Sequence, residues 1–304
     1  MTASAGRQAA LLQAMPAVFV LIWSTGFVVA RFGMPHAPPM SFLALRYACS
    51  LLAFGVWIVL ARASWPRDGM QWLHLAVTGV LMHGGYLGGV WIAIKGGLGA
   101  GLVALVVGLQ PLLTALWLSA LQRPGAGHRV THRQWLGLCL GLMGLVLVVG
   151  NKLHLGQASL RGLAFTLLAL ACITVGTLYQ KRWLAACDVR TANSVQLLAA
   201  LVVTLPLALL ESESIDWHPH MLGALAWSVL VLTLGGSSLL YLLIQRGAAT
   251  RVTSLMYLVP PCTAVLAWLL FDEALGLSVL AGMALTAVGV ALVVREPPRP
   301  AAAA

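Results

Sequence analysis

Ten apolar segments run along this chain, and residues 14–151 and 160–295 carry the same punctuation about 150 positions apart. Gly26 is echoed by Gly176, Arg31 by Lys181, and the pair Gly84-Gly85 by Gly235-Gly236. Lys95-Gly96 returns as Arg246-Gly247, Leu109-Gln110-Pro111 as Leu258-Val259-Pro260, and the Gly137/Gly144 spacing as Gly282/Gly289. A duplicated unit of five crossings enters a bilayer once in each orientation, because an odd number of spans reverses the chain. Inverted repeats around a midplane site are the architecture of secondary transporters. The expected fold is therefore an all-α integral membrane protein, with ten transmembrane helices in two inverted five-helix repeats around a central cavity.

Composition leaves little room for a soluble fold. Of 304 residues, 60% are hydrophobic and 9% charged, too few charges to cover a water-facing surface. The apolar runs are mostly long enough to cross a hydrocarbon core of about 30 Å as helices. They fall near 14–33, 40–61, 70–94, 98–120, 134–151, 160–181, 193–210, 221–244, 250–271 and 278–295. The first is too long for a signal-peptide core, lacks a clear small-residue cleavage site and takes part in the repeat, so it reads as a span.

The net charge of +10 reads as a topology signal rather than a nucleic-acid footprint. With a cytoplasmic N-terminus, thirteen basic residues fall inside, among them Arg62, Arg67, Arg123, Arg133, Lys181, Arg182 and Arg251. Arg31, Lys95, Lys152 and Arg161 fall outside, together with Glu211, Glu213, Asp216, Asp272 and Glu273. That alternation follows the positive-inside rule and predicts both termini in the cytoplasm of a bacterial-type inner membrane. The basic loops would meet anionic lipid headgroups, and no basic motif on a defined fold points to nucleic acid. Five cysteines form no disulfide framework, and no CxxC or CxxH spacing marks a metal or cofactor site.

The acids are informative by position. All eight lie in loops, at helix ends or in the tail, and none is mid-span. A proton-coupled antiporter, or an exporter of organic cations, usually keeps a buried carboxylate. The site is therefore better suited to a neutral, zwitterionic or anionic solute.

Among positive features, Arg46 lies about six residues into the second segment, about 9 Å along its axis. It either snorkels to the headgroups or faces the cavity and binds a substrate carboxylate; Gln196 is its counterpart in the second half. His83, near the middle of the third segment, reads either as a titrating coupling group or, more commonly, as a hydrogen-bonded packing histidine. Pro111 and the pair Pro260-Pro261 remove donors mid-segment at matched repeat positions and read as kinks that serve a gate or cavity lining. Trp23, Trp91 and Tyr241 are candidate walls, and Gln110, Gln196, Ser237 and Tyr257 candidate polar contacts. Trp65, Trp72, Trp135 and Trp217 sit where an interfacial belt belongs. The close-spaced glycines in helices three to five point to tight helix packing.

Trp23-Ser24-Thr25-Gly26-Phe27 followed by Arg31, then Arg46-Tyr47, resembles the opening of an EamA-type member of the drug/metabolite transporter superfamily. Gly235 to Gly247, Leu258-Val259-Pro260-Pro261 and Phe271-Asp272-Glu273 extend the resemblance over nearly the whole chain. It implies ten helices, a cavity enclosed by the first four helices of each half, a peripheral fifth, and export of amino acids or other small metabolites by alternating access. Two positions depart from the pattern. Gln122-Arg123-Pro124 stands where the first half would carry the acid matching Glu273, and Arg31 replaces a frequent Lys. A helix-end structural role for Glu273 fits that asymmetry.

The expected function is export of small metabolites, most plausibly amino acids or derivatives, down a gradient, with no obligatory protein partner. A multidrug exporter is the runner-up. A membrane enzyme would need clustered catalytic groups; His128 and His132 stand together in a basic loop without nearby acids. An accessory subunit would not need matched polar groups in both halves.

Overall fold

A computed structural model of the chain describes residues 2–120, 132–154, 156, 158–184, 187–236, 239 and 258–294. Among them there are helices and turns and no strand. The helices are α1 (Thr2–Gly33), α2 (Pro39–Ala61), α3 (Gly69–Lys95), α4 in two pieces (Ala100–Val107 and Gln110–Ala120) and α5 (His132–His154). The second half contributes α6 (Leu160–Trp183), α7 (Val189–Leu209), α8 (Pro219–Gly236), α9 (Val259–Phe271) and α10 (Leu277–Val294). Six of these (α2, α3, α5, α6, α7 and α8) have the length and hydropathy to cross a membrane, and α1, α4, α9 and α10 contain shorter apolar stretches. An apolar helix satisfies its own backbone, as the bilayer interior demands. Outward faces bear this out: Leu52, Val56, Val59 and Leu60 on α2 and Leu142, Met143 and Val146 on α5 are all exposed. In water such a surface would be a liability; in lipid it is solvated.

Polar residues set the helix starts. Asp68 accepts from Met70 N at α3, Ser159 from Gly162 N at α6, and Asp188 from Arg190 N at α7, each satisfying a donor the helix cannot. α1 begins at Thr2, earlier than its apolar run suggests, because the polar first turns extend the same helix.

Most packing runs between the halves. α2 lies against α7, α3 against α6, α1 against α8, α4 against α9, and α5 against α10. Glycines bring the backbones together: a side chain at Gly89 would strike the Phe165 carbonyl, one at Gly144 the Gly282 carbonyl, and one at Gly289 the Gly137 carbonyl. Without a hydrophobic drive between helices in lipid, such close contact supplies the attraction. Glycine spacing is not uniform in meaning, however. Gly97 has nothing near it and instead takes a φ of 90°, turning the chain between α3 and α4.

Two features differ from the sequence reading. At Pro111 the helix is interrupted rather than smoothly bent, and the residues that would precede Pro260-Pro261 in a longer helix lie outside the described ones. α4 breaks at Gly108-Leu109, and Pro111 sits in the first turn of its second piece; Pro260 and Pro261 sit in the first turn of α9 as described. A first-turn N–H has no intrahelical acceptor, so proline costs nothing there. The second feature is a wide-turn π stretch in each half, Val80–Leu87 in α3 and Trp227–Gly236 at the end of α8. Each contains one of the repeated glycine pairs, Gly84-Gly85 and Gly235-Gly236.

At the end where α1 meets α2 and α7 meets α8, acidic side chains tie the halves. Glu211 accepts from Met40 N at 2.9 Å and Ser41 N at 2.8 Å, closing the start of α2. Glu273 accepts from Ala100 N at 3.0 Å and closes the start of α4. Lys95 meets Glu213 at 2.8 Å and also donates to Met34 O at 3.0 Å. This acidic end is thus bridged repeatedly from one half to the other. At the opposite end Thr191 Oγ1 lies 2.9 Å from Ser64 O, and His74 Nδ1 lies 2.7 Å from the Tyr179 hydroxyl.

Candidate functional site

Between the halves lies a cavity of about 100 Å³, enough for several waters. α1 contributes Trp23, Gly26 and Phe27, α2 contributes Arg46, and the π stretch and its continuation in α3 contribute Met82, His83, Tyr86, Val90 and Trp91. The second half closes it with Ile173 of α6 and Leu232 and Thr233 of α8. The walls are apolar and aromatic with few polar groups, the usual make-up of a small-molecule pocket.

Arg46 lines this cavity and is 8% exposed, so it does not reach the helix end. Its Nη2 donates to Thr233 Oγ1 at 3.1 Å, across the two halves. Thr233 in turn donates to Ser228 O at 2.8 Å, five residues back, the register of its π stretch. The Arg46 Nε is buried and has no partner. The described carboxylates pair elsewhere or lie at helix ends, so no acid balances the guanidinium. A charge held in a membrane interior without a counter-ion is costly, and such residues mark solute sites.

Tyr47, next in sequence, points to α3 and donates to the His83 carbonyl at 2.7 Å. That carbonyl lies within the π stretch, where the usual i→i+4 pattern is interrupted. The His83 imidazole lines the cavity, stands edge-on to Tyr47 with ring centroids 6.0 Å apart, and is in hydrogen-bonding reach of Gln196. A side chain at Gly79 would collide with the Gln196 backbone, which explains how α7 comes close enough for this contact. Trp91 is buried and stacks on Phe42 at 4.4 Å, presenting a fixed wall. Trp23 is half-buried and packs on Phe19 at 5.4 Å.

Sequence candidates thus divide. Trp23, Arg46, His83 and Trp91 come together on the cavity, with Gln196 behind His83. Gln110 stands apart: its Nε2 donates to Thr177 Oγ1 at 3.0 Å, tying α4 to α6. An amide engaged there is a helix tie, not a cavity contact. Pro111 and Pro261 do not line the cavity, and Pro260 packs at the α4 break. Ser237, Tyr241 and Tyr257 lie outside the described residues. Tyr86 and Thr233 were missed. Tyr86 is three residues from His83, so helical spacing alone placed it on the same face, whereas Thr233 aligns with Met82 in the repeat and carries no echo.

Three histidines also meet away from the cavity. His36, between α1 and α2, stacks on His218 at 4.1 Å, and His220 stands edge-on to His218 at 4.8 Å. Sequence spacing could not reveal this group, since its members come from opposite halves.

With this geometry in hand, comparison with known proteins is specific. The family model of the EamA-like transporter family matches residues 11–150 and again 160–295. A probable amino-acid metabolite efflux pump of Salmonella typhimurium strain LT2 is 27% identical over 281 residues, covering 89% of this chain and 90% of the relative. Its counterpart by name in Escherichia coli K12 is 26% identical over 267 residues, covering 84% and 85%. A solved crystal structure superposes with a TM-score of 0.63 at 21% identity, over 94% of this chain and 97% of the other, so the overall fold is shared. The chain is a multi-pass membrane protein built for transport, and it belongs to the EamA-like transporter family.

Proposed function

We propose that this protein exports small carboxylate-bearing metabolites, amino acids or their derivatives, by alternating access across a bacterial-type inner membrane. The observation that carries this reading is Arg46: a buried guanidinium on the cavity wall with an unpartnered Nε and, among the described residues, no carboxylate beside it. A solute carboxylate would supply the missing counter-charge, and a guanidinium binds carboxylates in a directional, charge-assisted way. Trp23 and Trp91 would bound the solute's apolar part, and His83 its polar side. A cationic drug would meet an unbalanced positive charge, which disfavours the multidrug reading.

The architecture behind this reading is ten crossings in two inverted halves, with both termini in the cytoplasm and the acidic end outside. Exchange-related contacts support it: α3 on α6 mirrors α8 on α1, and α4 on α6 mirrors α9 on α1. Matched hydroxyl bonds support it too, Ser24 Oγ to Val20 O and Thr174 Oγ1 to Leu170 O. Rocking of the halves would alternately release the bridges at the acidic end and those at the other, with movement at the α4 break and the start of α9. No catalytic constellation is needed for this work, and the chain acts as a transporter rather than an enzyme.

The test is counterflow. Purified protein in liposomes is loaded with one unlabelled amino acid at a time, and uptake of the labelled form is followed. Transient accumulation of amino acids but not of the corresponding decarboxylated amines supports the reading. Equal movement of both classes removes the role assigned to Arg46, and accumulation of lipophilic cations alone favours the multidrug alternative.

A further inference from the structure

We propose that His36, His218 and His220 form a binding site for a divalent transition metal, zinc by its ligand chemistry, which staples the two halves at the acidic end. One ring nitrogen from each of the three lies within 4.8 Å of the others. A tetrahedral zinc with bonds of about 2.0–2.1 Å to nitrogen sets its ligand atoms about 3.3 Å apart, so modest ring rotations complete the triangle. Those rotations are available because His36 and His218 are half-buried and His220 is exposed. Three imidazoles and one open position for water match a known zinc arrangement, and imidazole is a ligand for zinc, copper and nickel alike.

The surroundings carry the argument further. His36 Nδ1 contacts Asp216 Oδ2 at 2.9 Å. A carboxylate on one ring nitrogen holds the proton there and leaves the other nitrogen's lone pair free, the arrangement that supports metal-ligating histidines. The loop is fixed as well, because Asp216 N donates to His36 O at 2.8 Å. His218 Nδ1 accepts from His220 N at 3.2 Å, a long cap at the start of α8. A neutral imidazole has one lone pair, so His218 would exchange that weak cap for the metal bond. His36 belongs to the first half and His218 and His220 to the second, hence one ion would join them beside the Lys95–Glu213 bridge.

The site is tested on purified full-length protein in detergent, carrying a tag without histidines, with zinc chloride titrated against a chelating dye. One tight equivalent is expected. H36A, H218A and H220Q should each abolish it, while H74A and H154A leave it intact. D216N should weaken it by roughly 10–100-fold, the usual effect of losing a carboxylate behind a ligating histidine. Zinc should also raise the thermal unfolding temperature of the wild type, reversibly with EDTA, but not that of H220Q, whose exposed side chain supports no core. Zinc held equally by the triple variant overturns the proposal. So does a stoichiometry that none of the three substitutions changes, or an affinity in D216N equal to the wild type's. None of these readouts depends on which solute the protein moves.

Discussion

Gly108 sits directly on Pro260: a Cβ placed on Gly108 would lie 2.7 Å from the Pro260 ring carbon Cγ. The contact joins the break in α4 to the first described turn of α9, and both points lie at the same repeated motif. The interruption in the α4 backbone ladder thus packs on the first described turn of α9, where the surrounding packing must keep the backbone covered.

Gly108→Ala should therefore destabilise the protein by about 1–3 kcal/mol, the usual cost of overpacking a filled site. Gly55→Ala is the control, since nothing lies within 4 Å of that position and alanine is the better helix former. Thermal unfolding in detergent compares them. Equal unfolding temperatures for the two variants would mean that α4 and α9 do not pack here.

The helix-capping acids give a second expectation. Glu273 and Glu211 each satisfy backbone donors at the start of a helix in the other half. Glu273→Ala should cost about 1 kcal/mol, and Glu211→Ala more, because two backbone donors and the Ser41 hydroxyl lose their acceptor. The glutamine variants should recover part of each loss, since an amide oxygen still accepts. Unfolding temperatures that fall no further for Glu211→Ala than for Glu273→Ala would contradict this ordering.

Much of this molecule was legible in its sequence because lipid imposes length and hydropathy on every span. Charge placement located the acidic loops, and repetition identified α4 and α9 as equivalent positions of the two halves, though not that they touch. The cavity was most legible where chemistry is rare: Arg46 and His83 stand out because few polar groups occur mid-span, and Trp23 and Trp91 because they lie deeper than an interfacial belt. Gln110 misled because an amide near a repeated proline looks the same whether it faces a cavity or Thr177. Thr233 and the π stretches left no mark, since a five-residue register depends on packing partners and has no hydrophobic period of its own. The repeated glycine pairs were visible, but their role as members of those stretches was not. His36 stands in the first half and the neighbouring pair His218 and His220 in the second, and only folding unites them.

Asp188 offers a pH-dependent expectation outside the membrane core. A side-chain hydrogen bond from Arg190 holds its carboxyl below the ordinary carboxylate range, and backbone N–H contact acts in the same direction. A depressed pKa contributes stability above the ordinary range and loses it as pH falls through the lowered value. Asp188→Asn keeps an acceptor for Arg190 N but removes the ion pair, whereas Asp188→Ala removes both. At neutral pH the unfolding temperature should order wild type, then Asn, then Ala. The gap between wild type and Asn should close on acidification below the usual carboxylate range. A gap that persists there would assign the effect to shape rather than charge.

Arg46 carries the sharpest expectation. If it binds a solute carboxylate with a directional fork, lysine cannot replace it, because an ammonium is a point charge on a flexible stem. Arg46→Ala should abolish counterflow of a carboxylate solute, and Arg46→Lys should retain only a small fraction, with insertion and chromatographic behaviour unchanged in both. Thr233→Val supplies the matching test on the opposite half. It removes the 3.1 Å acceptor from Arg46 Nη2, so the empty site loses a bond that the solute-bound site would not need. Solute affinity should therefore rise or hold in Thr233→Val while it collapses in Arg46→Ala. Parallel losses in the two variants would mean that the pair is a structural bridge between α2 and α8, and that the solute carboxylate is held elsewhere.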